Sequence, residues 1–312
     1  MISRIDFRPL IAKSSRRSAL PSASWNGATT TRLGALTTLG VGGSADVLCR
    51  PASVAGVRHA VTSAVTAGRP WRVLGRGSNL LIDDAGVDGW VIDLRRLSGI
   101  TFGDDGLVAA GAGVNTSVLL GATRRRGLGG LECLVGYPAT VGGAVRMNAG
   151  GRWGATGERI ESVVVVDRDG AVREVAHEKC AFAYRSSAFA RSVIVEARFR
   201  LPHVDPEAYR AAVEDIQTTK AAAQPLQMRS AGCMFRNPEG LSAGRLVDDA
   251  GMLGLRHGDA EVSPVHGNFV VNHGSASAAD VFRVLDDVRT EVQRVHGVEL
   301  ELEVEVWGRS GR

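Results

Sequence analysis

The hydrophobic pattern in the first two thirds of the chain is that of short buried strands separated by glycine-rich turns. The apolar runs predict strands at Val47–Cys49, Trp71–Leu74, Val91–Leu94, Leu107–Ala110 and Ser192–Leu201, and a hairpin in which Arg168-Asp169-Gly170 joins Ile160–Asp167 to Ala171–Ala176. Two helices are predicted among them. One runs from Pro51 to about Ala67, because apolar residues recur there at helical spacing, and the other covers Asn115–Arg126.

The pattern changes after Pro202–Pro206, where we place a domain boundary. Helices are predicted at Glu207–Ala221, Ser242–Ala250 and Ser277–Val295, the last beginning with a capping-box-like pair of Ser277 and Asp280. The chain then closes with apolar residues that alternate with glutamates, which predicts a strand over Glu299–Trp307. No internal repeat is visible, so the pattern as a whole indicates a mixed α and β protein.

Composition narrows the choice of partners. The chain has 312 residues, enough for two or three domains that each bury a core. Its formal net charge is only +4, its basic residues are scattered, and aromatic residues make up 5%. Both facts argue against nucleic-acid binding, and no apolar stretch approaches the roughly 20 residues that cross a membrane. We therefore expect neither a nucleic acid nor a membrane as a partner.

The cysteines and the first residues bear on the cellular compartment. Cys49, Cys133, Cys180 and Cys233 are far apart in the sequence, and the histidines lack ligand spacing, so we expect neither a disulfide framework nor a metal site. A reducing cytoplasm fits this composition, and we expect a monomer. Residues 1–30 are rich in Arg and Ser and carry no secretory signal. Their composition also resembles that of a transit peptide, but a frayed N-terminal tail is the simpler interpretation.

Two glycine-rich segments are the candidates for ligand binding. Gly136–Gly151 carries little side-chain bulk and is therefore poor core material, yet it is too apolar for a linker. Gly75–Leu80 follows a predicted strand and carries small polar side chains. Missing side chains expose backbone N–H groups and permit positive φ, so such segments suit a flat or phosphorylated ligand. A tight turn is the alternative for each, and Gly75–Leu80 does not match the dinucleotide-binding G-x-G-x-x-G pattern.

Several motifs in a fixed order resemble the UDP-N-acetylenolpyruvoylglucosamine reductase family, also called UDP-N-acetylmuramate dehydrogenases. They span roughly residues 35 to 308 and comprise Gly75–Leu81, Val141–Gly150, Tyr184–Ser187, Ala231–Pro238, Val262-Ser263 with His266–Phe269, and Leu302–Val304. The segment after Arg185 is short, which is similar to the family branch that lacks an extra substrate-clamping tyrosine loop. Any one motif could arise by chance, but the ordered set is specific.

The resemblance implies an α+β fold with a two-part FAD-binding unit of the vanillyl-alcohol oxidase (PCMH) type and a C-terminal α+β substrate-binding domain. The implied division is an N-terminal tail at 1–30, FAD-binding subdomains at 31–96 and 97–203, a substrate-binding domain at 204–298, and a C-terminal strand at 299–312 that returns to the active site. No histidine precedes a glycine loop in the manner of covalently flavinylated relatives, so we expect non-covalent FAD.

The reaction that the resemblance implies belongs to peptidoglycan precursor synthesis and has two halves. NADPH reduces FAD and is replaced by UDP-N-acetylglucosamine enolpyruvate. Hydride then passes from flavin N5 to C3 of the enolpyruvyl group, and C2 is protonated to give UDP-N-acetylmuramate. The cofactor carries the hydride chemistry, while the protein supplies orientation and electrostatics.

Three residues match the family's catalytic positions. The resemblance assigns Arg185 to the charge that develops on the pyruvyl carboxylate and Cys233 to the proton donated to C2, and it matches Glu303 to the family's glutamate of the C-terminal strand. Relatives commonly have serine at the position of Cys233, and a thiol is intrinsically the stronger acid, with an unperturbed pKa of about 8.5. The alternatives are a surface arginine, one of several glutamates on a solvated sheet face, and a buried structural cysteine.

The remaining site predictions also follow the motifs. For FAD they are Gly75, Arg76, Gly77, Ser78, Asn79 and Leu80 at the pyrophosphate, and Pro138, Ala139, Thr140, Val141, Gly142, Gly143, Asn148 and Ala149 at the flavin. For the substrate they are Tyr184, Gln224, Arg236, Asn237, His266 and Asn268, although His266 also fits a purely structural histidine. Two other functions stay open: a sugar or lactone oxidase on the same flavin scaffold, and a catalytically silent FAD- or nucleotide-binding module, which the cysteine at 233 would permit.

Overall fold

The computed structural model describes residues 31–309, so the predicted N-terminal tail lies outside the described residues. The helices are α1 Val54–Thr66, α2 Thr116–Arg124, α3 Val141–Arg146, α4 Pro206–Ala223, α5 Ala243–Asp249 and α6 Ala278–His296. The strands are β1 Ala45–Cys49, β2 Trp71–Leu74, β3 Leu80–Ile82, β4 Val87–Asp93, β5 Ile100–Phe102, β6 Leu107–Gly111, β7 Gly150–Gly151, β8 Gly154–Ala155, β9 Ile160–Val166, β10 Val172–Ala176, β11 Val193–Arg200, β12 Arg229–Cys233, β13 Arg256–His257, β14 Ala260–Val262, β15 Phe269–Asn272 and β16 Glu305–Trp307. No helix within residues 31–309 has the length and apolarity needed to cross a membrane.

The first sheet has three parallel strands in the order β1-β4-β2, with α1 packed against it. The helix begins three residues later than predicted because the Ser53 side chain accepts a hydrogen bond from the Gly56 N–H and so caps the first turn. Val57, Val61 and Ala64 on its inner face are buried. Gly68, with φ of +62°, follows its end, as the sequence predicted.

The second sheet has five antiparallel strands in the order β10-β9-β11-β6-β5. The predicted hairpin is present, and Gly170 provides the positive φ that its turn requires. Strand β9 is apolar and buried over Val163–Val166, and α1 packs against it. A single hydrophobic core runs from Cys49 in the first sheet to Leu201 after the second, so the two parts bury their apolar surface together.

The third unit is a four-stranded sheet in the order β12-β15-β14-β13, with α6 packed on β13 and β14. The sequence predicted its helices but missed this sheet, because its strands have two to five residues and β12, Arg-Ser-Ala-Gly-Cys, shows no apolar alternation. In α6, Ser277 and Asp280 form the capping box that was predicted. The core of this unit also takes in Leu39 and Leu81 from the first part of the chain.

The C-terminal segment departs from its prediction. Only Glu305–Trp307 forms a strand, which pairs in parallel with β3, whereas a strand was predicted from Glu299. The residues before it are held by another partner: the Arg236 N–H donates to the Glu301 carbonyl, and the Glu303 N–H donates to that of Met234. The segment therefore links the third unit to the first sheet. The domain boundaries remain a prediction.

Candidate active site

A cleft of about 530 Å³ lies where several segments of the chain meet. They include the first glycine segment (Gly75–Leu80), the second glycine segment (Gly136–Gly151), the turn that carries Arg185, the connection from α4 into β12, and the C-terminal segment. Its volume is within the range of cofactor and small-molecule sites. Eleven of the fourteen residues predicted to bind FAD line it: Gly75, Arg76, Gly77, Ser78, Asn79, Leu80, Pro138, Ala139, Thr140, Gly143 and Ala149. Arg185, Cys233, Glu303 and Gln224 line it too.

The first glycine segment presents bare backbone to this cleft. Gly77 has φ of +67°, and a Cβ added to it would lie 2.8 Å from the Thr37 Cα. Its carbonyl accepts a hydrogen bond of 3.2 Å from the Thr38 N–H. A Cβ on Gly75 would collide with Oγ1 of Thr140, so the two glycine segments touch here. Side chains would fill this cradle, and their absence fits the close approach of a pyrophosphate.

The second glycine segment corrects an expectation. It was considered poor core material, but it forms the short helix α3, in which Val141, Ala144 and Val145 are buried. Gly142 packs against the sheet, where an added Cβ would lie 2.9 Å from the Ala112 Cβ. Val141 and Gly142 therefore lie in the core and do not line the cleft, contrary to their predicted contact with the flavin. The spacing of Val141, Ala144 and Val145, at i, i+3 and i+4, was the signal for this helix.

Asn148 was also predicted to contact the flavin, but its amide is used elsewhere. Oδ1 accepts a hydrogen bond of 2.8 Å from the Gly157 N–H, and Nδ2 donates one of 3.1 Å to the Ala183 carbonyl. Asn148 has φ of +43°, a conformation that asparagine tolerates better than most residues. The side chain thus supports the turn that carries Arg185, and it does not line the cleft.

Arg185 sits at the tip of a tight turn closed by two backbone hydrogen bonds between Ala183 and Ser186. Its φ is +53°, an unfavourable conformation for a residue with a Cβ and one that occurs at functional sites. Nε donates to Glu303 Oε1 at 2.7 Å, and Nη1 donates to the Gly150 carbonyl at 2.9 Å. Burial works to lower the pKa of Arg185, but the Glu303 carboxylate outweighs it and leaves this pKa raised. The guanidinium is therefore charged and fixed before any ligand arrives.

The alternative interpretation, in which Glu303 is one of several glutamates on a solvated sheet face, does not describe this residue. Its side chain is only 9% exposed, and it receives the Arg185 guanidinium and, at 3.3 Å, the Tyr184 hydroxyl. The Asn79 amide donates to the Glu303 carbonyl at 3.2 Å, so the first glycine segment anchors this residue as well. Tyr184 itself is 55% exposed and lies beside the cleft without lining it.

Cys233 ends β12 after an irregularity in the strand register, where Gly232 has φ of +77°. Its thiol is half-buried and lines the cleft. Burial raises the pKa of Cys233 to about 12; the Glu303 carboxylate also raises it, and the Arg185 guanidinium opposes both. The thiol is therefore protonated at neutral pH. Its expected acidity advantage over a hydroxyl is reduced by this environment, while its proton is kept available.

The predicted substrate residues separate into two groups. Gln224 lines the cleft, whereas Arg236 and Asn237 are exposed and lie outside its lining, with the Asn237 Oδ1 accepting a hydrogen bond from the Ala243 N–H. Asn268 is 2% exposed, and its amide bonds to both the N–H and the carbonyl of Phe235. Both ends of its amide are therefore engaged by the Phe235 backbone, and its contact with the substrate stays a prediction.

His266 has the contacts of a structural histidine. Its Nδ1 accepts a hydrogen bond of 3.1 Å from the Asn268 N–H, and its ring packs edge-on against Phe269 at 4.9 Å. Burial lowers the pKa of His266, so the ring is neutral at pH 7. His266 does not line the cleft, and the structural alternative describes it better than the predicted role in substrate binding.

Sequence reasoning missed three polar residues of the cleft, Tyr137, Arg146 and Arg229. Tyr137 lines the cleft, and its hydroxyl donates to the same Gly150 carbonyl that receives Arg185, at 3.0 Å. Arg146 and Arg229 line the cleft with Arg76, and none of these three guanidinium groups pairs with a carboxylate of residues 31–309. A cationic lining suits phosphate groups. The sequence offered no signal for Arg229, which stands 44 residues after Arg185 in a polar run.

The donor set of the cleft fits an organic anion rather than a metal. No cluster of His, Cys, Asp and Glu within residues 31–309 could hold a metal ion. The side chains that converge are a charged guanidinium, a paired carboxylate and a neutral thiol, together with the glycine cradle. Such a site can bind a flavin and a phosphorylated partner, and it can hold a carboxylate and donate a proton.

Comparisons with known proteins agree with this geometry. A family model described as the C-terminal domain of UDP-N-acetylenolpyruvoylglucosamine reductase matches residues 224–307, and one described as an FAD binding domain matches residues 45–176. The UDP-N-acetylenolpyruvoylglucosamine reductase of Moorella thermoacetica is 41% identical over 273 residues, covering 87% of this chain and 90% of the relative. That of Heliobacterium modesticaldum is 42% identical over 278 residues, covering 88% of each chain.

A solved structure shares the fold along nearly the whole chain. The crystal structure of UDP-N-acetylenolpyruvylglucosamine reductase from Thermus caldophilus aligns with a TM-score of 0.78 at 40% identity. The alignment covers 89% of this chain and 97% of that one. With the two domain matches, it confirms the predicted fold class, an FAD-binding unit followed by a C-terminal α+β domain.

Proposed function

The chain belongs to the UDP-N-acetylenolpyruvoylglucosamine reductase family, and from this premise we propose that it reduces UDP-N-acetylglucosamine enolpyruvate to UDP-N-acetylmuramate with NADPH. One observation carries the proposal. The two glycine segments, the Arg185–Glu303 pair and the Cys233 thiol, which come from distant parts of the sequence, line a single cleft. Neither a silent binding module nor an oxidase needs a charged fork and a neutral proton donor in one cleft.

FAD is the non-covalent cofactor in this proposal. Gly75–Leu80 would hold its pyrophosphate through backbone N–H groups, and Pro138–Thr140 with Gly143 and Ala149 would lie along the flavin. When bound, the flavin accepts hydride from NADPH and delivers it to C3 of the enolpyruvyl group. The unpaired guanidinium groups of Arg76 and Arg146 would neutralise phosphates of the cofactor or substrate.

Arg185, oriented by Glu303, acts on the pyruvyl carboxylate. Negative charge builds there as C3 receives hydride, and the Arg185 guanidinium is already oriented by Glu303 and by the Gly150 carbonyl. A preorganised donor needs no rearrangement at the moment of reaction, and one such donor contributes roughly 3 kcal/mol to the transition state. The strained φ of Arg185 is the conformational cost of this orientation.

Cys233 donates the proton to C2. Its Sγ–H is the neutral form at working pH, because burial and Glu303 keep the pKa of Cys233 high. The carbanion-like C2 that forms after hydride transfer takes the proton from Sγ, and the positive charge of Arg185 stabilises the thiolate that remains. Tyr184, Gln224, Arg236 and Asn237 complete the proposed substrate contacts. All four cysteines are free, which is typical of proteins in a reducing cytoplasm, and we propose that the enzyme acts there as a monomer.

The test separates the two half-reactions under anaerobic conditions. In the Cys233→Ala variant we expect flavin reduction by NADPH to keep its rate, because the thiol has no part in that step. Re-oxidation by the enolpyruvyl nucleotide should slow by about 10² to 10⁴-fold, the contribution typical of a general acid. Cys233→Ser should retain most of the second rate, since its hydroxyl can donate the same proton. Rapid-mixing absorbance of the flavin measures both.

Each other outcome contradicts part of the proposal. Equal loss of both half-reactions in Cys233→Ala would remove the thiol from proton donation. A yellow wild-type protein that NADPH reduces but the enolpyruvyl nucleotide does not re-oxidise would support the silent module. Oxygen consumption that proceeds without the nucleotide would support the oxidase.

A further inference from the structure

Lys220, in the last turn of α4, is a buried cation outside the residues of the proposed mechanism. Its residue surface is only 4% exposed, and its Nζ donates a hydrogen bond to the Val135 carbonyl. Nζ lies 4.0 Å from the centre of the Tyr137 ring and 5.1 Å from that of Trp153. No carboxylate within residues 31–309 pairs with it. Burial of an ammonium in this way is costly, so its attractive contacts must offset a large loss of hydration.

A short path of contacts leads from this ammonium to the guanidinium that we place on the substrate. Tyr137 lies directly against Lys220, and its hydroxyl donates to the Gly150 carbonyl at 3.0 Å. The same carbonyl accepts the 2.9 Å hydrogen bond from the Arg185 Nη1. One face of Tyr137 thus receives the cation, while its hydroxyl shares an acceptor with Arg185. Three contacts, through Tyr137 and the Gly150 carbonyl, therefore connect the two cations.

We propose that Lys220 is a positioning residue: by fixing Tyr137 against α4, its ammonium holds the Gly150 carbonyl where it orients Arg185. This inference rests on the proposed function, since it assigns Arg185 to the enolpyruvyl half-reaction. The inference also relates α4 to the site. Only Tyr209, Ile216 and Lys220 are buried in this helix, and Lys220 contacts Tyr137, which lines the cleft.

The identity of this residue as lysine matters. The chain has only three lysines, Lys13, Lys179 and Lys220, among many arginines. Lysine differs from arginine in losing its charge within a reachable pH range when buried. Burial lowers the pKa of Lys220 to about 8, while Cys133 raises it and Arg152 lowers it further. The other groups that face it do not titrate there, since burial raises the pKa of Cys133 to about 11 and that of Tyr137 above its usual value.

The experiment compares wild type with Lys220→Met, Lys220→Arg and, as a control, the exposed Lys179→Met, each loaded with FAD. In Lys220→Met we expect kcat of the enolpyruvyl half-reaction to fall by about tenfold to a hundredfold, as for a misplaced catalytic group. KM and flavin reduction by NADPH should stay unchanged, because Arg185 acts in one half-reaction only. Wild type should lose this kcat as pH rises through about 8, and Lys220→Arg should keep its activity and lack that alkaline limb.

The outcomes separate this inference from the function on which it rests. A wild-type enzyme without turnover of the enolpyruvyl nucleotide contradicts the proposed function. Normal wild-type turnover, together with an unaffected Lys220→Met or with equal loss in both half-reactions, contradicts the positioning role. If Lys220→Met does not fold, as thermal unfolding would show, the Lys220→Arg profile decides: an alkaline limb that persists near pH 8 in that variant overturns the inference.

Discussion

The two glycine segments of the cleft use missing side chains in different ways. Gly75–Leu80 connects β2 to the start of β3, and its two glycines approach their neighbours closely. A Cβ on Gly77 would meet the backbone of Thr37 and Leu36, and one on Gly75 would meet the Thr140 side chain. Gly136–Gly151 instead contains the helix α3, whose two glycines are adjacent in sequence and have different neighbours. Gly142 packs on Ala112, and Gly143 lines the cleft.

The difference shows that glycine in a binding segment has at least two physical causes. In the first segment, conformation and close approach exclude a side chain on the protein's side, whatever ligand is bound. In the second, one glycine is required by packing between helix and sheet, and its neighbour only by the space left for a ligand. Substitutions to alanine can separate these causes, because folding stability and FAD affinity are measured independently.

The largest effect is expected from Gly77→Ala. The added methyl group would lie 2.8 Å from the Thr37 Cα and 2.9 Å from the Leu36 carbonyl oxygen, and backbone cannot move aside as a side chain can. Overpacking of about 1–3 kcal/mol would add to the roughly 1–2 kcal/mol that a left-handed conformation costs alanine. We expect a lower free energy of unfolding in urea and loss of bound FAD on purification.

Gly68→Ala is the matched control for this substitution. Gly68 has φ of +62°, close to the +67° of Gly77, but an added Cβ would meet nothing within 4 Å. It should therefore cost only the roughly 1–2 kcal/mol of conformational strain and leave FAD affinity unchanged. Equal destabilisation by the two substitutions would mean that conformation alone, and not close approach, explains the first glycine segment.

The fold was predictable where periodicity is strong, and α6 shows why. Six buried apolar residues recur along it at helical spacing between a capping box and Gly297, so three independent signals agree. The four-stranded sheet beside it gave no such signal. Its strands are too short to establish a period. In Glu299–Trp307 the residues alternate throughout, but the first part bonds to residues 234–236 and only the last three residues pair with β3, so no continuous strand forms.

The cleft was predictable only in part, for a related reason. The resemblance brought Arg185, Cys233 and Glu303 to one site, which no pattern of period or spacing in the chain could do. It did not reveal that the amides of Asn148 and Asn268 bond backbone groups, because a motif records which residues occur together and not which way a side chain faces. Lys220 belongs to no motif, and only the folded structure places it beneath Tyr137.

The second prediction separates the roles of Gly142 and Gly143, the two adjacent glycines of α3. In Gly142→Ala the new methyl group would lie 2.9 Å from the Ala112 Cβ, and we expect overpacking of about 1–3 kcal/mol to exceed the roughly 1 kcal/mol that alanine gains in a helix. In Gly143→Ala the nearest atom is Thr140 Oγ1 at 3.6 Å, so the apoprotein should gain up to about 1 kcal/mol.

For FAD affinity we expect the reverse: Gly143→Ala, not Gly142→Ala, should be the variant that weakens binding. Gly143→Ala places its methyl group in the cleft, and we expect FAD to dissociate about tenfold more readily, as 1.4 kcal/mol of crowding would produce. Gly142→Ala should bind FAD with nearly wild-type affinity once folded. Urea unfolding of the apoproteins and fluorescence titration with FAD give the two quantities, and parallel changes in both would refute the division.

The smallest effect concerns the contact between the two segments, and it tests whether they act as one site. A methyl group on Gly75 would collide with Oγ1 of Thr140, while Cβ and Cγ2 of Thr140 would stay at ordinary distances of 3.6 and 3.7 Å. Thr140→Ala therefore removes the obstructing atom, and the Thr140 hydroxyl makes no capping hydrogen bond to α3 whose loss would disturb the helix.

We expect Gly75→Ala to destabilise the FAD complex by about 1–3 kcal/mol and Thr140→Ala to restore about half of that loss. Because the two positions are 65 residues apart in sequence, a favourable coupling energy in this double-mutant cycle arises only if the segments touch in solution. Strict additivity of the two substitutions would instead show that the glycine segments bind the cofactor independently.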